Sequence, residues 1–330
     1  MNIQEKYILR SLEIAKKGIG LCAPNPAVGA VIVYDNKIIG EGYTSPFGGP
    51  HAEVNAINEV NDKSLLKQST LYVTLEPCAH QGKTPPCANL IVKNQIPRVV
   101  IGCIDPNPKV AGKGIKILKD NGCDVTTKVL EKECIRHHKR FFTFQNEKRP
   151  YIILKWAQCS NGFIAPLKKS KHRPFWISNK LSQQHVHKWR TTEQGILIGS
   201  KTAVEDNPEL SARHYLGQNP ERFVIDNNNA LDRNLNVFNN ASITHTLKSN
   251  TSKSAFDIVN QMYLKNISSV IIEGGAKTLN SFIEENLWDE ARVFIGDIKL
   301  NEGIKCPQIT NEIFEKKKYL KDQLYIFYND

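Results

Sequence analysis

The sequence lacks the features that mark membrane, secreted and disulfide-stapled proteins. Its longest apolar runs, such as 28–34 and 269–272, are far shorter than the roughly 20 residues that a bilayer-spanning helix needs. Residues 1–17 predict a charged amphipathic helix and contain no signal-peptide apolar stretch. Eight cysteines in 330 residues are too few for a disulfide scaffold. We therefore expect a cytoplasmic protein with no membrane role, in which cysteines serve a metal or catalysis.

Acidic residues are fewer than basic residues, and the formal net charge is +11. A positive net charge favours an anionic binding partner, such as nucleic acid, an anionic membrane surface or a phosphorylated small molecule. The excess lysines lie in short runs, such as 168–171 and 316–318, without the interleaved aromatic residues on which single-stranded nucleic acid stacks. We therefore expect a phosphorylated small molecule and no nucleic acid partner.

Length and hydrophobic pattern predict two domains, because 330 residues exceed what one core usually serves. In the first half, strand and helix patterns alternate from an opening helix that ends near Gly18 to a long basic helix from Leu130 to about Phe142. This alternation indicates an α/β sandwich built on one mostly parallel sheet. The polar stretch 145–150 is typical of a linker.

The second half begins a new α/β unit. Its predicted strands lie at 151–157, 195–200, 222–226 and 269–275, and its predicted helices lie near 179–190, 254–264 and 276–286. We place the two domains at 1–146 and 147–330.

The strongest chemical signal is a possible zinc site in the first half. His51 lies at the start of a predicted helix, and Cys78 and Cys87 follow with eight residues between them. One histidine and two cysteines leave the fourth position of a tetrahedral zinc open for water, which is the catalytic arrangement. Glu53 binds no metal, but it lies close enough to move protons between that water and a leaving amine. The set predicts a hydrolytic deaminase.

Each part of this signal is weak alone, since a single H-A-E on a helix is usually surface chemistry and paired cysteines are usually buried packing. The ordered combination is specific. Nucleoside and nucleic-acid deaminases, however, normally have only two residues between the two cysteines. Here the loop between Cys78 and Cys87 is longer.

That loop resembles the deaminase domain of the bifunctional riboflavin-biosynthesis deaminase/reductase family, whose pattern includes TLEPC-x-H-x-G-x-TPPC. The sequence matches it from Thr74 to Cys87, and further matches lie at 24–29, 51–54 and 105–114. The resemblance implies a cytidine-deaminase-like α/β/α sandwich, with Asn25, His80 and Lys83 in contact with substrate. It departs from the family at Thr44, where a histidine is common.

The second half gives a weaker signal by itself. No G-x-G-x-x-G follows its first strand, so the sequence does not support a doubly wound dinucleotide-binding domain. Glu273-Gly274-Gly275-Ala276 lies between a strand and a helix, and glycines at such a turn let backbone amides approach a phosphate. Such a turn could bind the pyrophosphate of a cofactor, although a Gly-Gly turn before a helix is also common for purely structural reasons.

The resemblance extends through this half and implies a dihydrofolate-reductase-like α/β domain. It implies substrate contacts at Arg190, Leu210, Arg213 and Glu273. It implies nicotinamide-cofactor contacts at Ala157, Trp176, Thr202, Asp206, Gly275, Ala276, Lys277, Thr278, Leu279, Asn280 and Ser281, and it adds Lys155 and Asn227 to the site. Asn161 and Pro174 depart from the family's Asp and Ser. The arginines Arg190 and Arg213 suit a bidentate grip on the substrate 5′-phosphate.

The implied activity is zinc-dependent deamination of 2,5-diamino-6-ribosylamino-4(3H)-pyrimidinone 5′-phosphate, followed by NADPH reduction of the ribosyl group to ribityl. The implied cofactors are Zn²⁺ and NADPH, and we expect a homo-oligomer. Two alternatives stay open: a tRNA deaminase with a basic C-terminal binding domain, and a zinc-stabilised binding protein without catalysis. The cysteine spacing argues against the first, and Glu53 argues against the second.

Overall fold

The structure is a computed structural model that describes residues 2–79, 85–107, 110–168, 173–249, 251 and 254–329. It divides into two compact units, Met1–Glu147 and Lys148–Asp330. No helix in the described part of the chain has the length and hydrophobicity to cross a membrane.

The first unit holds a five-stranded sheet with the strand order β2-β1-β3-β4-β5. Its elements are α1 (Ile3–Ala15), β1 (Gly29–Tyr34), β2 (Lys37–Tyr43), α2 (Ala52–Glu59), β3 (Thr70–Leu75), α3 (Cys87–Lys93), β4 (Arg98–Cys103), α4 (Lys113–Asp120), β5 (Asp124–Thr126), α5 (Glu131–His137) and α6 (Lys139–Asn146).

The prediction of a mostly parallel sheet holds for the direction of four of the five strands, but β1 runs the opposite way. β3, β4 and β5 are parallel, but β1 is antiparallel to both of its neighbours. The tight turn after β1 makes β2 antiparallel, and the helical crossover through α2 returns β3 in the direction of β2. Because β3 pairs with β1 instead of β2, that pairing is antiparallel too.

Helices cover both faces of this sheet at close range. A methyl group at Gly29 would lie 1.9 Å from the carbonyl oxygen of Ser11 in α1, and one at Gly42 would lie 2.3 Å from that of Ala52 in α2. Gly42 is paired directly with Ala30, the neighbour of Gly29 in β1, so the two glycines face opposite sides of the sheet. The unit is therefore an α/β/α sandwich, as predicted.

The predicted long helix from Leu130 to about Phe142 is broken at His138, which separates α5 from α6. The His138 side chain is buried and lies 3.1 Å from the hydroxyl of Thr74, and the neighbouring His137 lies 2.8 Å from the carbonyl oxygen of Ala27. These tertiary hydrogen bonds outweigh the local helical preference.

The second unit holds an eight-stranded sheet with the order β10-β9-β8-β11-β6-β12-β15-β14, and β7 and β13 pair separately. Its elements are β6 (Tyr151–Cys159), β7 (Phe163–Ala165), α7 (Lys180–Arg190), β8 (Gly195–Gly199), α8 (Ser200–Asp206), β9 (Glu221–Ile225), β10 (Thr244–Leu247), α9 (Ser254–Leu264), β11 (Ser269–Ile272), α10 (Ala276–Glu284), β12 (Glu290–Gly296), β13 (Ile304–Lys305), β14 (Ile313–Tyr319) and β15 (Asp322–Tyr328).

The strands from β10 to β12 are parallel, and only β15 and β14 are antiparallel additions. The central strands β8 and β11 are apolar and buried, as expected of a parallel sheet covered on both faces. Because β6, β8, β9 and β11 run in one direction, their carboxyl ends meet at one edge of the sheet. That edge forms the wall of the larger site described below.

Candidate active sites

Three side chains of the first unit meet as a possible metal centre. His51 lies at the N-cap of α2, Cys87 is the first residue of α3, and Cys78 lies in the turn after β3. His51 Nδ1 lies 3.3 Å from Cys87 Sγ and 3.6 Å from Cys78 Sγ, and all three ligand atoms lie within 4.8 Å of one another. A tetrahedral zinc with ordinary bond lengths requires about 3.5 Å between a nitrogen and a sulfur ligand. The three residues therefore fit zinc.

The chain holds Cys78 in a form that suits a metal. The backbone N–H of Cys87 donates to Cys78 Sγ at 3.3 Å, and the N–H of Ala88 donates to the Cys78 carbonyl at 3.2 Å. Hydrogen bonds from Cys87 and His51 lower the pKa of the Cys78 thiol. The thiolate, which is the form that binds metal, is thus favoured at Cys78.

Glu53 is buried in the first turn of α2, directly beside this cluster. Burial raises the pKa of its carboxyl group to about 7, and the neighbouring charge of Cys78 adds to the increase. A carboxyl group with a pKa near neutrality exchanges protons readily in both directions. The arrangement can therefore take a proton from water and return it to a leaving group.

The remaining predictions for this site have mixed outcomes. Asn25 lies in the loop before β1, where its backbone N–H donates to Cys22. His80 and Lys83 lie outside the described residues. Thr44 is buried, and it exchanges hydrogen bonds with Val28 through both its backbone and its hydroxyl group at 3.0 Å. Thr44 thus anchors the end of the loop that carries Asn25.

The second unit contains a cavity of about 1520 Å³ at the carboxyl edge of its parallel strands. Fifteen of the residues predicted for this half line it: Lys155, Ala157, Trp176, Arg190, Thr202, Asp206, Leu210, Arg213, Asn227, Glu273, Gly275, Ala276, Lys277, Thr278 and Ser281. Trp176 keeps 56% of its surface exposed, so it belongs to the cavity wall instead of the core.

Two predicted cofactor contacts do not line this cavity. Leu279 is fully buried and packs with Phe282 in the hydrophobic core, and Asn280 is absent from the cavity wall. The physical reason is helical periodicity, since α10 turns only one face toward the cavity and the residues between belong to its other faces. A continuous run from Gly275 to Ser281 cannot all face one ligand.

The N-termini of α8 and α10 lie side by side at the cavity. The N–H of Gly275 donates to the hydroxyl of Thr202 at 3.0 Å, and a methyl group at Gly199 would lie 2.7 Å from the hydroxyl of Thr278. The first backbone N–H groups of a helix have no intrahelical partner and favour an anion. The N-terminus of α10 therefore suits a phosphate of a bound cofactor.

A group of ion-paired side chains also lines the cavity. Arg190 binds Glu273 through two parallel hydrogen bonds of 3.0 and 2.9 Å, and Lys155 Nζ lies 3.6 Å from the same carboxylate. Burial acts to raise the pKa of Glu273, but Arg190 and Lys155 outweigh it and lower the pKa to about 2. Arg190 also donates to the carbonyl of Ser211 at 2.8 Å.

These contacts revise the expectation that Arg190 and Arg213 together grip a phosphate. Arg190 already uses three donors within the protein, and its charge is neutralised by Glu273. Arg213 makes one long hydrogen bond of 3.4 Å to the Ser211 hydroxyl and lies 3.9 Å from Glu209. Arg213 is thus the better placed of the two for an incoming anion.

His187 is a cavity residue that the sequence reasoning missed. Only 3% of it is exposed, and its Nδ1 has no hydrogen-bond partner among the described residues. Its ring packs edge-to-face on His214, with 4.6 Å between centroids. Burial, followed by the charges of Arg190 and Arg213, lowers the pKa of His187 to about 4. Its position three residues before Arg190 on α7 was the available signal, because such residues share a helix face.

Comparisons with solved structures and curated relatives cover nearly the whole chain. A Thermotoga maritima diaminohydroxyphosphoribosylaminopyrimidine deaminase/5-amino-6-(5-phosphoribosylamino)uracil reductase is 33% identical, covers 98% of each chain and has a TM-score of 0.90. Acinetobacter baumannii RibD is 29% identical over 98% of each chain, with a TM-score of 0.89. The riboflavin biosynthesis protein RibD of Aquifex aeolicus is 36% identical over 99% of this chain and 98% of its own.

Family comparisons treat the two halves separately. Residues 1–103 match the cytidine and deoxycytidylate deaminase zinc-binding region, and residues 150–300 match the RibD C-terminal domain. Together with the two sites, these matches define a two-domain enzyme with a zinc-type hydrolytic deaminase and a reductase. The chain belongs to the RibD family of bifunctional deaminase/reductases of riboflavin biosynthesis. The predicted fold class and activity are thus confirmed, and neither alternative function is favoured.

Proposed function

We propose that this chain removes the 2-amino group of 2,5-diamino-6-ribosylamino-4(3H)-pyrimidinone 5′-phosphate and then reduces the ribosyl group to ribityl with NADPH. The observation that carries the proposal is the convergence of His51, Cys78 and Cys87 at zinc-ligand distances beside the buried Glu53. Membership of the RibD family supports the same substrate class.

In the deaminase unit, His51, Cys78 and Cys87 would hold the zinc ion. When bound, zinc supplies Lewis acidity that makes water a nucleophile near neutral pH. Glu53 would take a proton from the attacking water and deliver it to the amine, which leaves as ammonia. Asn25 hydrogen-bonds the pyrimidine edge, and His80 and Lys83 contact the substrate from the loop between the two cysteines.

In the reductase unit, a bound nicotinamide cofactor supplies the hydride. The N-terminus of α10 would hold its pyrophosphate, and Ala157, Trp176, Thr202 and Asp206 would contact the rest of the cofactor. Arg213 binds the substrate phosphate.

The buried pair of Arg190 and Glu273 offers a fixed surface against which the sugar is oriented. Lys155 and Leu210 complete this part of the wall, and Asn227 lies on the cofactor side. Positioning of the cofactor against the sugar supplies much of the catalysis here.

Three further statements belong to this proposal. The domain boundary lies between residues 146 and 147, within one residue of the division seen in the contacts. The protein acts in the cytoplasm, and it forms a homo-oligomer.

A two-stage assay tests the proposed function. Purified zinc-loaded protein is incubated with the diaminopyrimidine phosphate, and ammonia is measured. NADPH is then added in one sample and NADH in another, and nicotinamide absorbance is followed. We expect ammonia first and NADPH oxidation second, with little oxidation of NADH. A folded, zinc-loaded protein that releases no ammonia would disprove the proposed deamination.

A further inference from the structure

Glu76 is a buried carboxylate two residues before the zinc ligand Cys78, and the deamination chemistry makes no use of it. It is 3% exposed. Among the described residues, its two oxygens accept four backbone hydrogen bonds, all from the segment after β4. The donors are the N–H groups of Asp105 at 3.3 Å, Gly112 at 3.0 Å, Gly114 at 3.0 Å and Ile115 at 3.2 Å.

The charge of Glu76 is balanced by the backbone. No lysine or arginine within the described ranges forms an ion pair with it. Two of its four donors, Gly114 and Ile115, lie in the first turn of α4, where N–H groups have no intrahelical partner and the helix dipole favours an anion. Glu76 therefore gives the N–H groups at this helix end a hydrogen-bond acceptor. In return, these N–H groups and the helix dipole stabilise the buried carboxylate.

The same contacts fix the turn that carries Cys78. Pro77 joins Glu76 to Cys78, and its carbonyl packs so closely on Gly114 that a methyl group there would lie 2.0 Å away. On its other side, Cys78 accepts backbone hydrogen bonds from Cys87 and Ala88 at the start of α3. The turn is thus held between the N-termini of α4 and α3.

We propose that Glu76 is a positioning residue of the deaminase site, which holds the Cys78 turn in a fixed arrangement with Asp105, Gly112 and the N-terminus of α4. This inference rests on the proposed function. By fixing Cys78 before the metal binds, Glu76 slows the loss of zinc and keeps the metal correctly positioned relative to Glu53. Substitution of a group that orients a metal ligand without binding the metal typically lowers metal affinity or activity by about 10–100-fold.

The substitution Glu76→Gln tests whether Glu76 positions the turn through its hydrogen bonds or merely fills space. Gln has the same shape, but its NH₂ group replaces an oxygen that faces two N–H donors, so donors would face donors. The turn must then shift. A residue that served only global stability would lower the unfolding free energy and leave zinc release from the folded protein unchanged.

The experiment measures zinc release to a chromophoric chelator from full-length zinc-loaded protein, well below its unfolding temperature, together with kcat and KM of both activities. For E76Q we expect zinc release about 10–100-fold faster and a similar loss in deaminase kcat, with reductase activity on deaminated substrate unchanged. The reductase activity serves as an internal test that the second unit is intact.

Glu285→Gln is the matched control, because Glu285 also accepts two helix N-terminal hydrogen bonds, from Ala255 at 2.9 Å and Phe256 at 3.0 Å, in the second unit. It should leave zinc release and deamination unchanged. If E76Q does not fold, Glu76→Asp replaces it, since a carboxylate one methylene shorter cannot reach all four donors.

Zinc release and deaminase kcat equal to wild type in the Glu76 variant would overturn the proposal, as would an equal acceleration of zinc release in E285Q. A wild type that holds zinc but does not deaminate this substrate refutes the proposed function instead. The comparison of zinc release still decides the role of Glu76 in that case.

Discussion

Arg190 and Glu273 form a bidentate ion pair in the wall of the cavity of the second unit, although they lie 83 positions apart in the chain. Both side chains are largely buried, and a third hydrogen bond ties Arg190 to Ser211. Arg190 is therefore held within the protein, and we expect Arg213 to be the arginine that contacts an anionic ligand. The two arginines should respond differently to the same substitution.

Arg213→Ala should weaken binding of the phosphorylated reductase substrate by about 2–3 kcal/mol, the scale of a lost charge-assisted hydrogen bond. Cofactor affinity should change little. The measurement compares KM for phosphorylated and dephosphorylated substrates in wild type and variant. An equal loss for both substrates would show that Arg213 does not bind the phosphate.

Arg190→Ala should instead lower the free energy of unfolding of the second unit by about 3–5 kcal/mol, because it leaves the Glu273 carboxylate buried without its main partner. Urea unfolding of the single variant and of Arg190→Ala/Glu273→Ala provides the measurement. The double variant should regain part of the loss. Strictly additive losses would show that the two side chains do not stabilise each other.

Metal analysis should find about one zinc per chain, and Cys78→Ala or Cys87→Ala should abolish it because each removes a ligand from a three-ligand site. Cys123→Ala is the control, since this half-buried thiol donates to the carbonyl of Ile96 and lies outside the cluster. The other five cysteines should be equally dispensable for metal. A folded wild type without zinc would contradict the assignment.

Glu53→Gln should retain zinc and lose deamination by about 10²–10⁴-fold, because an amide cannot carry the proton that the carboxyl group carries. The readouts are zinc content, ammonia release and NADPH oxidation on separately supplied deaminated substrate. Reduction should persist. Simultaneous loss of both activities in a folded variant would mean that the chain does not have two independent sites.

His187 should make the second unit less stable as the pH falls. Its pKa is lowered from 6.5 to about 4 by burial and by Arg190 and Arg213, and His214 acts in the same direction while Glu273 opposes it. Between these two values the unfolded chain binds a proton that the folded chain does not, so acidification lowers the free energy of unfolding. His187→Phe should flatten this dependence between about pH 4 and 6.5 in urea titrations. Parallel curves for wild type and variant would refute the assignment.

Much of the fold and of the zinc site followed from local pattern. The chain alternates buried strands with helices of ordinary length, and H-A-E, P-C and Cys87 lie at strand and helix ends where the topology brings them together. Such signals need no knowledge of distant contacts. They sufficed for the layers and for the prediction that His51, Cys78, Cys87 and Glu53 lie close together.

The errors arose where distant partners decide the outcome. The direction of β1 relative to β3 depends on which strand the crossover pairs with. The break at His138 depends on Thr74, 64 residues away in the chain. The cofactor contact expected of Leu279 stays a prediction, but its side chain packs in the core and does not face the cavity, because the residues of a helix do not all share one face.

The steric role of Gly29 and Gly42 affects how substitution data on this protein should be interpreted. Neither residue touches a reacting group, yet a single added carbon at either would overlap a helix backbone. A library covering every position should deplete variants at these two glycines as severely as at the zinc ligands. Intolerance to substitution would then have two different causes, loss of helix–sheet packing at the glycines and loss of metal binding at the zinc ligands. Only a separate measurement of the amount of folded protein would distinguish them.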